Sequence, residues 1–156
     1  MLCFAYGSNM SSRQMADRCP GAKLVGTAQL PGYRLAFTGF SSVRGGAVAT
    51  VVPARGKMVN GLLWELPPGE LKLLDRFEGC PVVYRRVRFF LICQDGLRHW
   101  GWVYLHNGGA CGFKPAPGYL RIIRGAYRRH GFPREDIDRA VEEIKPCTSK
   151  SMGRGQ

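Results

Sequence analysis

Glu78 is the acidic residue whose surroundings suggest chemistry. On a helix over residues 68–78 it shares a face with Leu71 and Leu74, which precede it by seven and four positions. That face is apolar. A carboxylate turned inward at a helix C-terminus loses water and meets the negative end of the macrodipole, and both raise its pKa. It would then exchange a proton near neutral pH. Spacing alone equally allows a structural glutamate paired with Arg85 or Arg86. A second candidate is Tyr6-Gly7-Ser8-Asn9, between a strand and a helix start. Successive backbone N–H groups there can converge on a charged or polarised oxygen, and Gly7 permits close approach. A plain glycine turn with a capping Ser or Asn would read the same. Tyr119 is the third. Helical projection places it with Ile122 and Ala126 on the buried side, opposite Arg121, Arg124 and Arg128; its hydroxyl either enters a pocket or is satisfied within a core.

Other chemistries find little support. No serine or cysteine sits in a nucleophile elbow, and His99, His106 and His130 lack triad or metal spacing. The cysteines at 3, 19, 80, 93, 111 and 147 form no Cys-x-x-Cys pair, so no metal is expected and the thiols read as free. The net charge of +12 would attract an acidic partner or substrate or serve solubility. Without zinc-finger spacing, basic heptads or an RNP-like aromatic pattern, nucleic acid is not expected. No segment has the length or apolarity to cross a bilayer, and the opening residues lack a signal-peptide pattern, which points to the cytoplasm.

The elements that must hold these residues begin with a strand over residues 2–6 and a helix capped by Ser11 or Ser12. Strand-like runs follow near 23–30, 33–40, 47–52 and 59–66, separated by Pro31-Gly32, Gly45-Gly46 and Gly56. Pro67-Pro68 opens a helix that Gly79 and Pro81 stop. Strands near 83–93 and 98–106 precede helices near 117–130 and 133–144. The pattern is α+β, with a curled or closed sheet and helices outside. We read residues 1–148 as one domain and 149–156 as a disordered basic tail.

Taken in order, these segments resemble the γ-glutamylcyclotransferase family. The resemblance is carried by Phe4 to Asn9 (Phe-Ala-Tyr-Gly-Ser-Asn), Gly45 to Thr50, Val59 to Trp64, Leu74 to Gly79 with Tyr84, and Pro115 to Tyr119, followed by Gly125-Ala126 and Gly131-Phe132-Pro133. It implies a small mixed β-barrel with flanking α-helices and a cofactor-free cyclisation of a γ-glutamyl group to 5-oxoproline. By the same resemblance, Glu78 is the acid/base carboxylate, Phe4, Ala5, Tyr6, Gly7, Ser8 and Asn9 form the substrate cradle, and Tyr119 is a pocket residue. Cys3 stands where some relatives carry an aromatic residue against substrate, which leaves the leaving-group side open. The expected substrate is a γ-glutamyl amino acid or amine. Two alternatives are a γ-glutamyl group on an acidic acyl carrier protein, docked on the Arg121, Arg124 and Arg128 face or on Arg85, Arg86 and Arg88, and a non-catalytic module binding an acidic protein or RNA. The oligomeric state stays open.

Overall fold

The computed structural model describes residues 1–109 and 112–145. Cys111, Cys147 and the expected tail lie outside the described residues. Among the described residues five strands close into a barrel in the order β1-β3-β2-β4-β5, and four α-helices flank it. The strands are β1 (Leu2–Ala5), β2 (Lys23–Ser41), β3 (Gly46–Glu65), β4 (Tyr84–Cys93) and β5 (Arg98–His106). All neighbours are antiparallel except β1 and β5, whose parallel pairing of Cys3 with Trp102 and Phe4 with Val103 seals the barrel. The fold is therefore α+β with a small mixed barrel.

One expectation needs correction. The runs near 23–30 and 33–40 form one strand, as do those near 47–52 and 59–66. Pro31-Gly32 does not end β2. The register against β3 shifts between Pro31 and Tyr33, with Gly32 at φ +80°, so the breaker residues are taken up in a bulge that bends the strand. Bending of this kind lets two long strands wrap around a small barrel.

The helices follow their caps and apolar faces. α1 (Ser12–Arg18) starts where the Ser11 hydroxyl accepts the Gln14 N–H at 3.3 Å, which satisfies one of the first-turn donors. It buries Met15 in the core and turns Gln14 and Arg18, one turn apart, to one side. α2 (Glu70–Phe77) starts later than Pro67-Pro68 suggests, after Gly69 in the left-handed region, and Glu78 is its C-cap. Leu71 and Leu74 anchor α2 in the core at 3% and 0% exposure. Truncating Leu74 to alanine would cost about 2–5 kcal/mol and loosen the platform that carries Glu78. α3 (Pro117–His130) opens with Pro117 and buries Tyr119, Leu120, Ile123, Ala126 and Tyr127, whereas Ile122 is only half-buried. α4 (Arg134–Glu142) packs Ile137 and Ala140 inward. Among the described residues no helix is long and apolar enough to cross a membrane.

Candidate active site

The end of β1 feeds directly into a 3₁₀ turn over Ser8–Met10, and α1 begins two residues later. This strand–loop–helix unit forms one wall of a cavity of about 580 Å³. Facing walls come from the end of α2, the β2–β3 turn and the start of α3, contributing Glu78, Arg44 and Tyr119. The cavity thus gathers the candidate acid/base and substrate-binding residues, Phe4 through Asn9 together with Glu78 and Tyr119, and none of the arginines named as docking candidates.

Glu78 does not pair with Arg85 or Arg86. Arg86 is bound to Asp75 at 2.6 Å, and Arg85 donates to Asn107 at 3.1 Å. The partner of Glu78 is Arg18, with Nη1 2.9 Å from Oε1, and the Asn9 amide donates to the same oxygen at 2.8 Å. Oε2 receives no hydrogen bond among the described residues. Burial raises the Glu78 pKa, and Arg18, Asn9 and Arg44 pull against it; the net shift is upward. The inward carboxylate read from helix spacing is present, with its proton affinity set mainly by desolvation.

A polar lattice locks Asn9 and Arg18 in place. Gln14 donates to Ser8 Oγ at 2.8 Å and to Asn9 Oδ1 at 2.9 Å. Arg18 also reaches Asn9 Oδ1 at 3.0 Å. From the β2–β3 turn, Arg44 donates to Ser8 Oγ at 3.2 Å and Gln14 Oε1 at 2.7 Å, and its guanidinium lies 5.3 Å from the Tyr119 ring centroid. Sequence reasoning missed Gln14, Arg18 and Arg44. The four-residue spacing of Gln14 and Arg18 behind the Ser11 cap was a usable signal, whereas Arg44 sits in a turn with no periodicity to mark it.

Three of the four tyrosines that line the cavity among the described residues differ in where their protons go. Tyr6 donates to the Tyr104 carbonyl, and Tyr84 donates to the Ala49 carbonyl at 2.9 Å. Tyr119 accepts the Ala49 N–H at 3.0 Å and among the described residues donates to nothing, so its proton is free for a cavity occupant. Burial pushes its pKa up to about 12, keeping it a neutral donor. Gly7 makes room beside it. A Cβ there would lie 3.2 Å from the Ala49 Cβ and 3.5 Å from the Tyr119 hydroxyl. Cys3 also lines the cavity, but burial pushes its thiol far above the ordinary range, so it stays protonated and unreactive.

This barrel and cavity correspond to a known family. Residues 3–129 match the family described as Gamma-glutamyl cyclotransferase, AIG2-like. A human protein named Gamma-glutamylcyclotransferase is 29% identical over 150 residues, covering 93% of this chain and 79% of its own length. A solved structure titled Gamma-glutamyl cyclotransferase superposes with a TM-score of 0.77 at 26% identity, covering 99% of this chain and 92% of that one. A structure of an uncharacterized human protein gives 0.80 at 27% identity over the same shares. The chain belongs to the γ-glutamylcyclotransferase family.

Proposed function

We propose that the cavity cyclises a γ-glutamyl group to 5-oxoproline, with Glu78 as the proton carrier. Family membership makes the chain an enzyme of the γ-glutamylcyclotransferase kind; the side-chain arrangement supports the assignment of roles. The observation that carries it is the asymmetry of Glu78. Oε1 is fixed by Arg18 and Asn9, while Oε2 is unbound among the described residues, in a cavity whose far wall offers the Tyr119 proton.

The substrate supplies its own nucleophile. Oε2 takes a proton from the α-ammonium, and the resulting amine attacks the γ-carbonyl carbon to form the ring C–N bond. The bond from that carbon to the departing amine, or sulfur in a thioester, then breaks as Glu78 returns the proton to the leaving group, and the second proton of the ring nitrogen passes to the carboxylate so regenerated and from there to the released amine or to water. Atoms and charge balance without a cofactor. Fixing both ends of one molecule in the attacking geometry supplies most of the advantage. Arg44 and the Gly7–Asn9 backbone suit the α-carboxylate, and the Tyr119 hydroxyl suits the substrate's other oxygens. Cytoplasmic location remains part of this reading.

The test is 5-oxoproline release from γ-glutamyl amino acids, γ-glutamylamines and γ-glutamyl thioesters by the wild type and Glu78→Gln. Release by the wild type that Glu78→Gln largely abolishes supports the assignment. No release from any substrate, or equal release by both proteins, overturns it.

A further inference from the structure

The reaction leaves the excess of 23 basic over 11 acidic residues unused. The helix face expected to hold it is partly committed, because Arg124 is bound to Asp138 at 3.1 Å. The β4–β5 hairpin is different. Its register sets Arg88 opposite Trp102, Phe90 opposite Trp100 and Ile92 opposite Arg98, and residues paired in this way share a face. Leu91 and Val103 alternate with them and are fully buried, so the Arg88–Trp102 side faces out. Phe90 and Trp100 are each 48% exposed, with ring centroids 3.8 Å apart. The Arg88 guanidinium lies 5.5 Å from the Trp100 ring and 5.6 Å from the Trp102 ring, and Arg86 lies 4.5 Å from Trp102.

We propose that this hairpin face docks an acidic protein partner, which presents carboxylates to Arg88 and Arg98 and packs apolar side chains on Phe90 and Trp100. Tryptophan and arginine are the residues that most often dominate binding energy at protein interfaces, and charge complementarity would speed encounter. Single-stranded nucleic acid would also answer the charge, but its bases need open ring faces on which to stack. Here the indoles already make ring and guanidinium contacts within the hairpin. Phe90 and Arg88 contact Trp100, while Arg86 and Arg88 contact Trp102. A guanidinium lying on an indole still turns its N–H edge outward, the geometry that takes a carboxylate. The face also adjoins the cavity. Arg86 binds Asp75, Asp75 accepts the Tyr104 hydroxyl at 2.7 Å, and Tyr104 lines the cavity wall.

The surface lies outside the cavity, so the inference stands apart from the assignment of catalytic roles. The probe is a fluorescein-labelled peptide of repeating Glu-Leu-Asp-Glu units, with a Gln-Leu-Asn-Gln peptide and oligothymidylate as comparisons. The proteins are the wild type, Arg88→Ser/Arg98→Ser, Trp100→Ala, and Arg121→Ser/Arg128→Ser, which removes the same charge elsewhere. Wild type should bind the acidic peptide, and Arg88→Ser/Arg98→Ser should weaken it by about tenfold or more, one decade corresponding to one strong contact. Trp100→Ala should also weaken it, whereas Arg121→Ser/Arg128→Ser should change it little. The loss should shrink as salt rises, with release of 5-oxoproline from a small γ-glutamyl amide unchanged throughout. Equal weakening by both arginine pairs, no weakening by the hairpin pair, no binding by wild type, or tighter binding of oligothymidylate would each overturn the proposal.

Discussion

Arg18 Nη1 and the Asn9 amide share a single oxygen of Glu78, at 2.9 and 2.8 Å, and leave the other to the cavity. A purely structural ion pair has no need to keep one carboxylate oxygen unbound. We expect Glu78→Gln to fold and to lower turnover by ~10²–10⁴, the usual contribution of a positioned acid/base. Purified protein with near-normal 5-oxoproline release would remove Glu78 from the chemistry.

The same carboxylate predicts how stability changes with pH. Its folded-state pKa is raised above the ordinary 4.5 because burial disfavours the charge. The folded protein therefore binds this proton more tightly than the unfolded chain does. The resulting stabilisation is complete below 4.5 and is lost as pH rises through the folded-state value. Thermal melts should show wild type gaining on Glu78→Gln as pH falls from neutral toward the ordinary carboxylate value. A gap that moves the other way would mean that the Arg18 pairing outweighs burial.

Arg18 is bonded to Glu78 Oε1, so its expected part is to tune the carboxylate. Removing its charge in Arg18→Gln takes away the strongest influence that lowers the Glu78 pKa. The acidic limb of the kcat/KM profile should move to higher pH, with the plateau reduced less than in Glu78→Gln. An unmoved limb would show that another group controls the profile.

Tyr119 and Tyr84 offer a matched comparison, because both hydroxyls meet the backbone of Ala49 from opposite sides of the hydrogen bond. Tyr119→Phe removes the free donor and should alter kcat or KM more than stability. Tyr84→Phe leaves a carbonyl without its donor and should cost about 1 kcal/mol, with a smaller kinetic effect. Wild-type kinetics in Tyr119→Phe would reduce that residue to packing.

Gly7→Ala probes the close approach of the loop. Its φ of −109° lies outside the left-handed region that favours glycine. The new methyl would crowd Ala49 and the Tyr119 hydroxyl. KM should rise with little change in melting temperature; unchanged kinetics would show that the wall gives way freely.

Much of the site was legible because helix spacing is local information. Leu71 and Leu74 on one face revealed which way Glu78 turns, and the helix expected near 117–130 is α3, Pro117–His130. Strand continuity was hidden, since Pro31-Gly32 looks the same in a turn as in a bulge until the partner strand is known. Arg44 reaches Ser8 across 36 residues, a contact that no local pattern encodes. Alignment of Arg88 with Trp102 and Phe90 with Trp100 likewise depends on a hairpin register that neither strand carries alone.

The parallel β1–β5 seam also has a kinetic meaning. The long β2–β3 hairpin can zip from its own turn, but the Tyr6–Tyr104 bond, beside the seam, must close a loop of 98 residues. Loop closure of that span is entropically late. The cavity wall formed by residues 6–9 would then be completed near the end of folding. In a refolding experiment we expect the circular dichroism of the hairpin to recover before enzymatic competence, and a chain arrested between the two would hold most of its sheet but no catalyst.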